Sequence, residues 1–137
     1  MEYGEEEYIT VTHVLEYLFC PRFTYYEYVA NIPEHQEKRY KVLKGREVHK
    51  EKEEINLRYL RKKLGVLAKE ISVPIYCPQL RLKGVVDEVL TLEDDSMAPL
   101  DYKFAEYKGV VFDTHRLQAV LYGMLIEYSY RRPVEKS

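Results

Sequence analysis

The chain has 137 residues, of which 46% are hydrophobic and 32% are charged, and its formal net charge is −2. This length fits one compact domain with a modest core, and this composition excludes an intrinsically disordered chain. The charge also excludes a global basic field, so any nucleic acid would have to be bound by a local patch.

Cysteine content and hydropathy indicate a cytoplasmic setting. Cys20 and Cys77 are too few for a disulfide framework, and they lack the spacing of a zinc site. No apolar run reaches membrane-spanning length, and the acidic segment 4–7 differs from a signal peptide. We therefore expect a soluble cytoplasmic protein with reduced thiols and no membrane partner.

The first predicted element is a helix over residues 11–30, interrupted near Pro21 and capped by Thr12. Its second half holds three of the fourteen tyrosines, Tyr25, Tyr26 and Tyr28. These rings could stack on unpaired bases, although tyrosines more often pack at the boundary of a core. Both interpretations stay open at this point.

Residues 36–64 are dense in Lys, Glu and Arg, and they predict a long, largely solvated helix that ends at Gly65. The next segments are rich in β-branched and apolar residues, and they predict strands over 69–76, 80–92 and 97–104. A turn is predicted between the last two strands, where four polar residues follow one another.

The last predicted helix runs from Thr114 to about Tyr130, with apolar residues at the spacing of a buried face and a cap at Asp113 or Thr114. The order of elements is therefore helix, helix, three strands, helix. We interpret this order as an α/β domain, with a mixed central β-sheet flanked by helices and a groove over the strand hairpin.

The strand hairpin contains the chemically informative spacing. If residues 80–92 fold against 97–104 about a bend near Asp94, Asp87 falls opposite Asp101. Side chains that are paired in this way have Cβ atoms about 4.5–5.5 Å apart, and two like charges there are destabilising unless a cation or proton joins them. A register slip of one residue would place the two carboxylates on opposite faces.

Lys103 follows Asp101 by two positions, so both side chains leave the same face of the strand. Between them, the carbonyl of Tyr102 is a neutral oxygen ligand, and Mg²⁺ favours carboxylates, carbonyls and waters. A metal there would polarise a phosphate, and a lysine could stabilise the charge that develops. The alternative is an exposed Asp101–Lys103 ion pair. Asp87 argues against it, because charges rarely lie unpaired in apolar strands.

His49 lies in the charged segment, four residues after Gly45, whose missing side chain would permit another element to come close. A neutral imidazole there could complete a metal site. The alternative is a surface histidine on a polar helix.

Five short segments occur in a recognisable order: FCPR at 19–22, GREVH at 45–49, LKGVVDEV at 82–89, LDYKF at 100–104 and QAVLYG at 118–123. In this combination the chain resembles, over nearly its whole length, the CRISPR-associated Cas-four nuclease family. That family is RecB-like and belongs to the PD-(D/E)XK superfamily. The resemblance implies a single PD-(D/E)XK nuclease domain over residues 1–137, with a restriction-endonuclease-like core.

Carried over by position, the resemblance makes His49, Asp87 and Asp101 metal ligands beside the Tyr102 carbonyl, and Lys103 the catalytic lysine. The expected cofactor is Mg²⁺ or Mn²⁺. The implied activity is hydrolysis of DNA at single-stranded or overhang ends. The implied role is the trimming of spacer precursors for the CRISPR integrase complex during adaptation.

Gln118 and Tyr122 match the family's Q-x-x-x-Y motif, which the resemblance places beside the active site and the DNA path. Their i,i+4 spacing puts them on one helix face. Helix packing with a local hydrogen bond would explain the same pair equally well.

Cys20 matches one iron–sulfur ligand of the family, but the other three are absent and Cys77 cannot replace them all. An ordinary cluster needs four thiolates, so we expect none in this chain. The chain is also short at its C-terminal end relative to the family. The strand edge left uncovered would favour a homodimer.

Two other functions stay open. One is a RecB-like nuclease of repair or restriction. The other is a non-catalytic module that binds DNA or the integrase.

Overall fold

The computed structural model describes residues 8–32, 44, 46–47, 50–51, 64–102, 109 and 112–135. The helix predicted over residues 36–64 lies almost entirely outside these residues, and the few described positions within it are helical. Leu64 and Gly65 form a turn before the first long strand, and Gly65 has a φ of 74°. This left-handed conformation is the one that glycine adopts readily after a helix.

The N-terminal unit begins with strand β1 (Ile9–Thr10), followed by helix α1 (Val11–Phe19). The predicted cap at Thr12 was wrong, because the chain is still extended at Thr10 and turns into the helix directly after it. The Thr10 hydroxyl accepts from the His13 N–H at 3.0 Å, and His13 Nδ1 accepts from the Thr10 N–H at 3.1 Å. This reciprocal capping box satisfies amides at the start of the helix.

The predicted interruption near Pro21 is confirmed. Cys20 is extended, with φ −157° and ψ 103°, and it separates α1 from the short helix α2 (Pro21–Thr24). The proline occupies the first turn of α2, where its missing N–H removes no helical hydrogen bond. A π-helical turn, Tyr25–Val29, continues the chain.

Three longer elements complete the mixed four-stranded sheet: β2 (Val66–Cys77), β3 (Leu82–Leu92) and β4 (Met97–Leu100). β3 is central and pairs antiparallel with β2. Its other edge carries β1 in parallel at one end and β4 antiparallel at the other end. Among the described residues, no strand covers that edge between these two pairings.

The predicted strands are present with shifted ends. β4 stops at Leu100, so the prediction of a strand through 104 was wrong at Asp101 and Tyr102, and its last two residues lie outside the described part. The turn after β3 is confirmed, because the carboxylate of Asp94 accepts from the Ser96 N–H at 3.0 Å. This local bond fixes the bend and hence the register of the hairpin.

Helix α3 (Asp113–Tyr130) packs against the sheet and buries Leu125 and Ile126 completely. Its N-cap is Phe112, so the predicted cap at Asp113 or Thr114 was wrong. Asp113 is instead the first helical residue, where its negative charge meets the positive end of the helix dipole.

The architecture is therefore α/β, with a mixed sheet flanked by helices, as the sequence predicted, and it is compatible with a PD-(D/E)XK-like core. Within the described ranges, no helix is long and apolar enough to cross a membrane.

Candidate active site

The side chains of the central strand β3 do not alternate regularly between the two faces of the sheet at Asp87. Val86 and Val89 both belong to the core beneath α3, although residues three apart in a regular strand point to opposite faces. Leu90 belongs to a second apolar cluster with residues of β2 and β4. The alternation of side chains is therefore shifted by one position at Asp87.

The neighbouring strand has its own irregularity at the same level. The ladder partner of Asp87 would be Ser72, and this pair is missing from the described ladder although the pairs on both sides are formed. Ser72 has a φ of 50°, a conformation that residues with a Cβ atom adopt rarely. The register is the same on both sides of this gap, so the irregularity is confined to Ser72 and Asp87.

The hairpin of β3 and β4 has the predicted register over its four ladder pairs. Its last pair is Glu88 with Leu100, and Asp87 and Asp101 are the next residues along the two chains. Asp87 is 8% exposed, and its Oδ2 accepts the backbone N–H of Tyr102 at 2.8 Å. Carboxylates that come close to one another favour a cation between them.

Helix α3 brings Tyr122 to the same place. Gln118 Nε2 donates to the Tyr122 hydroxyl at 3.4 Å, so the predicted bond within this i,i+4 pair is present. Burial raises the pKa of Tyr122, the bond from Gln118 lowers it, and the negative charges of Asp101 and Asp87 raise it further. Tyr122 therefore keeps its proton near neutral pH, and its hydroxyl lies in the electrostatic field of both carboxylates.

Two predicted site residues, His49 and Lys103, lie outside the described residues. Within the described part, no group of three His, Cys, Asp or Glu residues could hold a metal ion. That part contributes the carboxylates Asp87 and Asp101, with the Tyr102 carbonyl between Asp101 and Lys103 in the chain. Their oxygens are of the kind that Mg²⁺ and Mn²⁺ prefer, so these residues fit part of a ligand set.

The two cysteines have different environments. Cys20 is a half-buried free thiol at the break between α1 and α2. Cys77 is a free thiol buried in the core beneath α3, where it packs as a small apolar side chain.

A second buried acid was missed by the sequence analysis. Glu88 is fully buried, and Lys69 Nζ lies 3.0 Å from its Oε1. The Tyr102 hydroxyl donates a short hydrogen bond to Glu88 Oε2. The two consecutive acids Asp87 and Glu88 within an apolar strand could have indicated a second buried acid. Adjacent strand residues point to opposite faces, so each acid would need a partner of its own.

A groove of about 350 Å³ lies beside the site of Asp87, Asp101 and Tyr122. It is lined by Thr10, Thr12, Tyr76, Lys83, Val85 and Tyr122, among others. Tyr122 belongs both to this wall and to the carboxylate site. Lys83 is half-buried there, and no acidic residue of the described part pairs with it.

Comparison with known proteins supports the predicted resemblance, at low sequence identity. The CRISPR-associated exonuclease Cas4 of Francisella tularensis subsp. novicida (strain U112) is 26% identical over 127 residues. The chain is similar to a Cas4 exonuclease. The similarity covers 91% of this chain, which spans 62% of the length of that Cas4 protein. No protein-family model matches the chain.

Proposed function

We propose that this protein is a divalent-metal-dependent deoxyribonuclease that hydrolyses phosphodiester bonds at single-stranded or overhanging DNA ends. The observation that carries the proposal is the pair of carboxylates Asp87 and Asp101, which come directly after the last hairpin pair and whose charges both act on Tyr122, with Asp87 buried at the irregular point of β3. A close pair of carboxylates destabilises a fold that offers no cation. Similarity to a Cas4 exonuclease supports a nuclease in the broad sense.

In the proposed site, Asp87, Asp101, the Tyr102 carbonyl and His49 would hold Mg²⁺ or Mn²⁺. When bound, the cation polarises the phosphate and lowers the pKa of the attacking water. The Tyr102 N–H orients the Asp87 carboxylate, to which it donates at 2.8 Å. Lys103 is the proposed catalytic lysine and would stabilise negative charge on the phosphate in the transition state.

The groove beside Tyr122 is the proposed path of the DNA strand. Lys83 offers a cation for a backbone phosphate, and the sequence-independent part of DNA affinity comes from such contacts. Tyr76 is 45% exposed on the groove wall, where its ring also makes a T-shaped contact with Tyr8, and its exposed part would contact a base. Gln118 would support the site by holding the Tyr122 hydroxyl.

By its similarity to a protein named as a CRISPR-associated exonuclease, we infer that the biological substrate is a spacer precursor. Trimming of its ends would precede transfer to an integrase complex. A nuclease of repair or restriction would use the same site on other DNA ends.

Cleavage of labelled single-stranded DNA in the presence of Mn²⁺ tests the proposal. The wild-type protein is expected to degrade the DNA, and Asp101→Asn is expected to abolish the reaction. Asp95→Asn is a matched control, because Asp95 is exposed in the turn of the same hairpin and its φ of 66° suits asparagine. Binding of DNA without any cleavage by the wild-type protein would favour the non-catalytic module instead.

A further inference from the structure

Tyr102 donates hydrogen bonds to the side chains of two consecutive residues of β3, Asp87 and Glu88. Its backbone N–H donates to Asp87 Oδ2 at 2.8 Å, and its side-chain hydroxyl donates to Glu88 Oε2. One residue therefore connects the candidate metal ligand Asp87 with a fully buried carboxylate.

The charge of that carboxylate is balanced from the neighbouring strand. Lys69 Nζ lies 3.0 Å from Glu88 Oε1, and the two side chains are 5% and 1% exposed. Within the described residues, Oε1 has this ion pair but no well-directed hydrogen bond. The Lys69 ammonium therefore balances the charge of the Glu88 carboxylate. The other carboxylate oxygen, Oε2, accepts the hydrogen bond from the Tyr102 hydroxyl.

Stability alone is a poor reason for this arrangement. Removing two charges from water is costly, and well-packed apolar side chains of similar volume often stabilise a fold as much or more. The ion pair holds the Glu88 carboxylate in one orientation. A hydroxyl donor must approach a carboxylate oxygen along a restricted path, so this orientation also restricts the Tyr102 side chain.

The segment that these bonds hold, Asp101 and Tyr102, follows the end of the β4 ladder. The last ladder pair is Glu88 with Leu100, so Asp101 and Tyr102 lie just beyond it. This segment contains one proposed ligand carboxylate and the proposed ligand carbonyl. Its position relative to Asp87 decides whether the ligands converge on one cation.

We propose that Lys69 and Glu88 are positioning residues for the candidate metal site and act through the Tyr102 side chain. This inference rests on the proposed function. Groups that orient metal ligands without touching the metal typically change metal affinity about 10- to 100-fold when they are removed.

Calorimetric titration with Mn²⁺, in parallel with thermal unfolding, tests the inference on the full chain. Tyr102→Phe removes only the hydroxyl and is expected to weaken Mn²⁺ binding about tenfold or more. Tyr130→Phe is the matched control, because its hydroxyl also donates to a glutamate, Glu70 Oε2 at 3.0 Å, and Glu70 is paired with Val89 and not with a proposed ligand. The control is expected to keep wild-type affinity even if its melting temperature falls.

A double-mutant cycle tests whether Glu88 acts through Tyr102. Glu88→Gln is expected to weaken Mn²⁺ binding in the wild-type background and to add little in the Tyr102→Phe background. Wild-type Mn²⁺ affinity in Tyr102→Phe would overturn the inference, whatever its melting temperature.

The same titration separates this inference from the proposed function. If Asp87→Ala binds Mn²⁺ as the wild type does, the ligand set itself is wrong. If Asp87→Ala abolishes binding while Tyr102→Phe has no effect, the ligand set stands and only the positioning role is refuted.

Discussion

The backbone N–H of Tyr102 donates a hydrogen bond to Oδ2 of Asp87, with 2.8 Å between the two atoms. The bond joins the middle of β3 to the segment just beyond β4. A carboxylate that accepts a backbone N–H is held in a set direction. The main chain at Tyr102 therefore helps to orient Asp87.

Replacing Asp87 with asparagine is expected to remove measurable Mn²⁺ binding in calorimetry. The change keeps the size of the side chain but removes the charge that favours the cation. Glu93→Gln is a suitable control, because Glu93 is an exposed acid immediately after the same strand. Unchanged Mn²⁺ affinity in Asp87→Asn would remove Asp87 from the ligand set.

Replacing Lys103 with alanine is expected to lower cleavage of single-stranded DNA strongly while leaving Mn²⁺ affinity nearly intact. This pattern identifies a group that acts in the chemical step and not in holding the metal. Single-turnover cleavage and Mn²⁺ calorimetry on the same preparation measure the two effects. A parallel loss of both would assign Lys103 to structural support, and an unchanged cleavage rate would remove it from the mechanism.

Adding a methyl group at Gly84 is expected to destabilise the fold. A Cβ atom there would lie 3.1 Å from Tyr122 Cε1 and 3.1 Å from Val11 Cγ2, so these two buried side chains would have to shift by a few tenths of an ångström. Overpacking of this kind costs about 1–3 kcal/mol of unfolding free energy. Thermal unfolding of Gly84→Ala should therefore show a lower melting temperature.

Gly123→Ala is the comparison for that experiment. Its Cβ atom would meet Val134 Cγ1 at 3.2 Å, and Val134 lies in the C-terminal segment beyond α3. Alanine also has about 0.5–1 kcal/mol better helix propensity than glycine. Gly123→Ala should therefore be less destabilised than Gly84→Ala, and the reverse order would contradict the tight packing around Gly84.

Replacing Lys83 with alanine is expected to weaken binding of single-stranded DNA uniformly across sequences. Losing one phosphate contact should reduce the slope of log affinity against log salt by about 1. Fluorescence anisotropy at several salt concentrations, with Ca²⁺ in place of Mn²⁺, measures this without cleavage. Arg132→Ala, an exposed change outside the groove, should leave the slope unchanged. Equal slopes for wild type and Lys83→Ala would place the DNA path elsewhere.

The sequence by itself determined the strand hairpin and its register. The reason is local, because the Asp94 side chain bonds to the Ser96 N–H and thereby fixes the bend. Once the bend is fixed, the pairing along both strands follows by counting. The helix caps were predicted less well, because the choice between Thr10 and Thr12 depends on where β1 ends.

Only the tertiary structure decided which face of β3 each side chain reaches. Periodicity assumes regular alternation, and the shift at Asp87 beside the left-handed Ser72 breaks it. The contacts of Glu88 with Lys69 and Tyr102 join residues that are far apart in the chain. No local pattern encodes such contacts, because they depend on how β2, β3 and the segment after β4 are packed together.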